Sequence, residues 1–576
     1  MSFSRGSRVT LTACWLLVLL PVLFSAGLLA RYGVEAPFWD DWSLAGHLES
    51  IQKGEWTPGR LLAQHNEHRP AVPIGLQILA ARIWGWQFRA MMWVTQALLF
   101  AMFLGLVMLW RRAAGPPRAW TVAALALVSF LLYWPAQYQN TLWAFQICFF
   151  LPAACLLAVV VVASPPVARL GVALTMSAIC CAIASFSVFA GLFTWPIAGV
   201  ATLAAYGRPS RKDWWTWAAW GLACVAVLAA YFHGYHEPPG GPSPVAALKQ
   251  PLALLTAFAT CIGSPFGVGP YRFAIARGVG FVAIAVLFLL AIGVWKRRTD
   301  RALLLGVIPW MAMGAYGLLT AAAIAAGRMA YGDHALFESR YATIVAWIFM
   351  AIVMLATALR NRAEQQETRV AASRWFWRAV AVVLVTLGIF SQPQQLQAVR
   401  QHAQVRRQAR ALLMLGATAR SGWPTVPREY DWTYVWTITR VMRSGGWLPQ
   451  PPAAPAWMAD DPRTTDCAHG AVEAMIATGT RVMASGWAYL PEGGRPADAI
   501  LGTTGAPPRQ IFLTTPTTGR LDVVQRFQTE DAMISSWFVD LPSTLLSDEI
   551  DIWAFDVDHI RAYRLCRLDA QRANAR

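Results

Sequence analysis

Charge is scarce in this chain. Only 14% of its 576 residues are Asp, Glu, Lys or Arg, and 56% are hydrophobic, against about 25% charged in an average soluble domain. That shortage excludes a soluble globular protein, and the apolar content excludes a disordered or collagen-like one. With 29 Trp, 27 Phe and apolar runs near the length that crosses a bilayer, the composition fits a multi-spanning α-helical membrane protein. Acids are scarcest in the first two thirds. Residues 1–391 hold 13 acidic against 29 basic residues, and residues 392–576 hold 18 against 19, so the net charge of +17 belongs almost wholly to the apolar part. A basic stripe on a soluble domain, the footprint of nucleic-acid binding, is missing.

Cysteine spacing excludes more. None of the nine Cys forms a C-x-x-C zinc motif, and Cys14, Cys148, Cys155, Cys180, Cys181 and Cys224 read as small core residues. Cys467 and Cys566 bracket the carboxyl-terminal segment, where a disulfide clasp is expected in an oxidising compartment.

Hydropathy predicts eleven spans, near residues 11–30, 90–110, 119–137, 143–163, 170–188, 190–206, 214–232, 274–295, 302–326, 341–359 and 375–391. Arg5 and Arg8 precede the first, which is long for a cleaved signal and reads as an anchor. Every alternate loop is basic, carrying Arg111/Arg112/Arg118, Arg169, Arg208/Arg211/Lys212, Lys296/Arg297/Arg298/Arg301 and Arg360/Arg362/Arg369/Arg374. This alternation puts the amino terminus in the cytoplasm and the tail outside. No acid falls within a span, which argues against a proton-coupled transporter.

Three domains follow. Residues 1–391 form the transmembrane part with a long first outer loop, 31–89, in which 72–86 reads as an interfacial helix. Further outer loops lie at 233–272, where 252–262 is apolar enough to dip into the bilayer, and at 327–341. Residues 392–459 form a helical, then Pro-rich linker. From 460 to 576, short alternating runs such as RVMASGWAYL and DIWAFDV predict an outer β-sandwich-like domain.

Candidate chemistry clusters in the outer loops. Phe38-Trp39-Asp40-Asp41-Trp42 follows the first span, and its adjacent carboxylates suit a general base or a helix cap beside interfacial Trp anchors. His65-Asn66-Glu67-His68-Arg69-Pro70 offers a binding cluster; a divalent cation is one of its uses, although the HExxH spacing is absent. Arg328 and Arg340, with His334 near them, suit a lipid-linked phosphate, or ordinary headgroup contact. Asn140 and Trp143, in Tyr138-Gln139-Asn140-Thr141-Leu142-Trp143, suit a sugar pocket or an aromatic belt.

Together, FWDDW, HNEHRP, QNTLWAFQ and ESRY (338–341), in this layout, resemble the GT-C fold glycosyltransferases. The stretch SGWAYLPEGGRPADAIL (485–501) also looks like a β-module found beside bacterial surface-glycan enzymes. The resemblance implies a bacterial inner-membrane enzyme that inverts configuration while moving a sugar from a polyprenyl phosphate to a glycan or lipid-linked acceptor at the periplasmic face. Asp40 or Asp41 would then be the base; Arg328, Arg340 and His334 would hold the donor phosphate; His65, Glu67, His68, Arg69, Asn140 and Trp143 would bind substrate. The competing reading is a polytopic transporter or flippase of lipid-linked glycan with a glycan-binding outer domain.

Overall fold

The computed structural model describes residues 5–164, 168–237, 244–366, 371–415, 432–448, 458–459, 469–478, 480–492, 494–505, 509–517, 519–542 and 549–568. The chain divides into two compact units. The first comprises Met1–Gly33, Trp56–Leu79 and Ala90–Leu396; the second comprises Val34–Glu55, Ala80–Arg89 and Gln397–Arg576.

In the first unit, nine helices among the described residues are long and apolar enough to cross a membrane, from Thr10–Tyr32 to Ser339–Gln365. They coincide with nine of the eleven expected spans. The expected span at 170–188 forms the shorter helix Leu170–Ser185, of 16 residues, and the one at 375–391 lies within the 45-residue helix Ala371–Leu415. The chain is thus a polytopic membrane protein by the length and composition of its helices. The expected interfacial segment forms the helix Ala71–Trp84.

Small residues let these helices pack closely, as bilayer-embedded helices must when apolar burial alone favours neither lipid nor protein. Helix Pro251–Gly263 crosses Arg272–Trp295 so tightly that a Cβ on Gly263 would lie 1.8 Å from the Ala276 carbonyl oxygen, and one on Gly280 equally close to that of Ala259. The apolar stretch expected to dip into the bilayer is therefore a packed helix, buried from Ala259 to Gly263.

Charges gather at one end of the bundle. Arg118 and Arg360 both pair with Glu364 at 2.9 Å, and Arg362 forks onto both carboxylate oxygens of Asp300. These pairs join three of the basic loops that the charge alternation predicts to be cytoplasmic. Helix Arg301–Arg328 starts beside Asp300 and has 28 residues, a run of about 42 Å at 1.5 Å per residue. Its far end carries Arg328, and helix Ala342–Gln365 runs from Arg340 and Tyr341 back to Arg362 and Glu364. The ion pairs and the candidate phosphate ligands thus occupy opposite ends of the same helices.

The second unit takes in two pieces of the segment between the first two long helices, 34–55 and 80–89, because residues beyond Gln397 supply their partners. Arg406 donates to the carbonyls of Val34 and Ala36, Trp86 N–H donates to the Trp447 carbonyl, and helix Trp432–Ser444 packs on helix Asp41–Gln52. The rest of the unit is β-rich. The described strands are β1 (Met458–Ala459), β2 (Gly470–Thr478), β3 (Arg481–Ala488), β4 (Ala499–Thr504), β5 (Arg509–Thr514), β6 (Ser536–Pro542), β7 (Ile550–Asp556) and β8 (Arg561–Leu568). They form a five-stranded sheet, β1-β8-β7-β4-β5, and a three-stranded sheet, β2-β3-β6.

Alternate residues of the two sheets share one core: Ala484 and Trp537 from the smaller, Ile500, Ile552 and Tyr563 from the larger. Gly502 is required where the Phe512 ring lies across the neighbouring strand, since a Cβ there would come within 1.9 Å of it. Within SGWAYLPEGGRPADAIL, Arg495 bonds the buried carboxylates of Asp498 at 2.5 Å and Asp556 at 2.8 Å. That pairing satisfies charges that burial would otherwise penalise. The Pro-rich linker at 449–455, Cys467 and the Cys566 side chain lie outside the described residues, and the expected clasp with them; the other seven Cys are free thiols.

Candidate functional site

Three of the segments singled out in the sequence meet in the first unit. The first, HNEHRP, is a two-residue hairpin: His65 N–H donates to the His68 carbonyl at 2.8 Å and His68 N–H returns the bond at 2.9 Å. Asn66 sits at its first central position with φ +51°, the left-handed conformation that a tight hairpin demands and that Asn tolerates. Gln64 exchanges hydrogen bonds with the backbone of His236, and the Tyr231 hydroxyl donates to the Glu67 carbonyl at 3.0 Å. The turn is held on both flanks.

Arg69 ties the turn to the neighbouring backbone. Its Nε donates to the Tyr231 carbonyl and its Nη2 to the His233 carbonyl, each at 2.6 Å, and its Nη1 donates to Leu62. It covers the carboxyl end of helix Trp214–Phe232, where orphaned carbonyls favour a cation. All its nitrogens are thereby committed.

Glu67 projects from the turn toward Arg328, whose Nη2 donates to Oε1 at 3.1 Å. His68 Nε2 lies 3.8 Å from the same oxygen, and its Nδ1 accepts from Phe189 N–H at 3.1 Å, which leaves the ring proton on Nε2. Burial opposes ionisation of Glu67, yet the His68 ring, its own backbone N–H, and the Arg328 and Arg340 guanidiniums together hold its carboxyl below the usual carboxylate range.

The second and third segments interlock beside it. Asn140 Nδ2 donates to the Arg340 carbonyl at 2.8 Å and to Thr343 Oγ1 at 2.6 Å; Thr343 Oγ1 donates to Gln137 Oε1 at 2.6 Å; Gln139 N–H donates to Ser339 Oγ at 3.2 Å. The Arg340 guanidinium lies over the Tyr341 ring, 5.6 Å from its centre. The His65 ring packs at 5.8 Å against Phe145 of QNTLWAFQ, so that segment touches the hairpin as well as ESRY. Trp143 is buried in the same segment.

No family model, curated protein or solved structure matches this chain. Its chemistry has to come from its own residues.

His334 Nδ1 is 3.0 Å from Arg272 Nη2, and its ring packs edge-on to Phe273. Asp40 and Asp41 belong to the second unit, where they differ sharply. Asp41 is 1% exposed, and its Oδ2 accepts from Phe38 N–H at 2.9 Å. Arg406, itself fully buried, lies over the Phe38 ring. Desolvation pulls the Arg406 guanidinium down to about 10, against the opposing pull of Asp41 and Glu35. Asp40 is half-buried at the N-cap of helix Asp41–Gln52 without a side-chain cap bond. Trp39 between them and Phe38 has φ +44°, rare for a bulky residue and a mark of local strain. Among the described residues, no three His, Cys, Asp or Glu side chains gather as they would around a metal ion.

Several participants carried weak sequence signals. Gln137 and Thr343 are polar residues in apolar runs, and that alone could have marked them. Arg406 is one of several Arg on its helix, and nothing local distinguishes it.

Proposed function

We propose that this protein is a bacterial inner-membrane glycosyltransferase of the GT-C type, with eleven spans, a cytoplasmic amino terminus and a periplasmic carboxyl-terminal domain. It moves a sugar from a polyprenyl-phosphate donor to a glycan or lipid-linked acceptor, with inversion. The observation that carries the reading is the meeting of HNEHRP, QNTLWAFQ and ESRY with Arg328, at the end of the helices away from the basic loops.

Arg328 and Arg340 are the phosphate ligands, because a guanidinium fork matches a phosphate ester and stabilises it as a leaving group. His65, His68 and Glu67 face the donor sugar, while Asn140 and Trp143 shape the wall behind Arg340. The base is assigned by resemblance to the FWDDW motif, and Asp40 is its accessible carboxylate. Deprotonation of an acceptor hydroxyl by that group makes the oxygen nucleophilic.

The test is a transfer assay with the full-length protein in nanodiscs, offered radiolabelled polyprenyl-phosphate sugars and a lipid-linked glycan acceptor. Label should move to the acceptor in wild type and not in Arg340→Gln. Label that crosses the bilayer of sealed proteoliposomes without changing carrier would establish the flippase instead.

A further inference from the structure

Arg328 reaches its carboxylate partner through one of three nitrogens. Among the described residues its remaining N–H groups meet no protein acceptor, and its side chain is 34% exposed. Arg69, two positions from Glu67 in the chain, shows the contrast: its fork is used up on carbonyls. Arg328 is therefore built to grip an anion, and the anion it now grips is Glu67.

The backbone beneath Glu67 is locked. The hairpin bonds between His65 and His68, the left-handed Asn66, the Gln64 bonds to His236 and the Tyr231 hydroxyl leave only the Glu67 side chain able to swing. A second resting place is near, since His68 Nε2 lies 3.8 Å from Glu67 Oε1. Carboxylate and phosphate oxygens compete for the same guanidinium geometry.

We infer that Glu67 is a placeholder in the phosphate site: its carboxylate occupies Arg328 until a phosphate ester displaces it, and the freed side chain turns to His68. The inference rests on the donor reading above for the identity of the ester, not for the exchange itself. The exchange keeps the Arg328 charge neutralised in both states and lets only a ligand that outcompetes a carboxylate enter.

The experiment measures binding of undecaprenyl phosphate, phosphatidylglycerol and inorganic phosphate to full-length protein in phosphatidylcholine nanodiscs. Glu67→Gln should tighten binding of a phosphate ester by about tenfold, the scale of one charge-assisted hydrogen bond no longer competing. Arg328→Gln should weaken it, and the double variant should lose the gain. Unchanged or weaker binding of all three ligands by Glu67→Gln, with an unchanged melting temperature, overturns the placeholder role. Should Glu67→Gln fail to fold, Glu67→Asp must tighten binding through its shorter reach, and its failure to do so is equally decisive. The ligand separates the two claims: a gain with phosphatidylglycerol or inorganic phosphate but none with undecaprenyl phosphate keeps the placeholder and removes the polyprenyl donor.

Discussion

The side-chain amide of Asn140 donates to the backbone carbonyl of Arg340 at 2.8 Å, although 200 residues separate them in the chain. The same amide holds Thr343, so one buried side chain ties the start of helix Ala342–Gln365 to the short helix Tyr138–Leu142 and fixes where Arg340 leaves the membrane-spanning bundle. A buried amide that satisfies two acceptors at such a place serves position as much as stability.

Asn140→Leu should therefore cost stability and phosphate binding together. It leaves the Arg340 carbonyl without this donor in a buried setting, a loss of roughly 1–3 kcal/mol. Scanning fluorimetry in detergent should show a lower melting temperature, and undecaprenyl phosphate binding should weaken. Unaltered binding in a folded variant would show that Arg340 is placed by other contacts.

The two carboxylates of FWDDW should separate on mutation. Asp41 is buried and bonded to Phe38 N–H, and its charge favours the buried Arg406 cation, so Asp41→Asn should destabilise the fold by roughly 1–3 kcal/mol, the scale of a weakened hydrogen bond to a buried charged group. Asp40→Asn should fold normally and lower transfer by roughly 100-fold or more, as loss of a general base does. Wild-type transfer by Asp40→Asn would remove it from the mechanism.

A pH effect should appear in the β-rich part. His559 Nδ1 lies 2.9 Å from Asp556 Oδ2, and that hydrogen bond and charge raise the imidazole above its ordinary 6.5. A raised value in the folded state means that the stabilisation is complete below about 6.5 and is lost as pH climbs through the higher, folded-state value. Hydrogen exchange in the β7–β8 turn, corrected for intrinsic rates, should quicken over that window, and His559→Gln should abolish the change. The ring is largely exposed, so the effect is local and small.

Orientation can be read by single-cysteine labelling. Positions 65 and 340 and the carboxyl-terminal tail should react from outside the cell, and positions 297 and 362 only after permeabilisation. Arg362 pairs with Asp300 at the basic end of the bundle, while Arg328 and Arg340 lie at the far ends of the same helices. Labelling of 340 and 362 from one side would contradict a membrane-spanning path for helix Ala342–Gln365.

The sequence by itself determined the membrane class, nine of the long apolar helices, the short helix Ala71–Trp84 and a carboxyl-terminal β region. Hydropathy, alternation and turn residues are local properties, and they report elements whose burial depends on their own composition. It also singled out HNEHRP, QNTLWAFQ and ESRY, polar clusters at the ends of apolar runs that the fold brings together. Their pairing was beyond it. That Arg69 is spent on carbonyls while Arg328 meets the Glu67 carboxylate, that His334 turns to Arg272, and that Asp41 is buried while its neighbour Asp40 is not are outcomes of which groups meet once the helices have packed. The same holds for the grouping of residues 34–55 with the carboxyl-terminal unit. Arg406 reaches carbonyls some 370 residues away, and no local pattern encodes a bond of that span, because the carbonyls it satisfies are orphaned only by the tertiary fold.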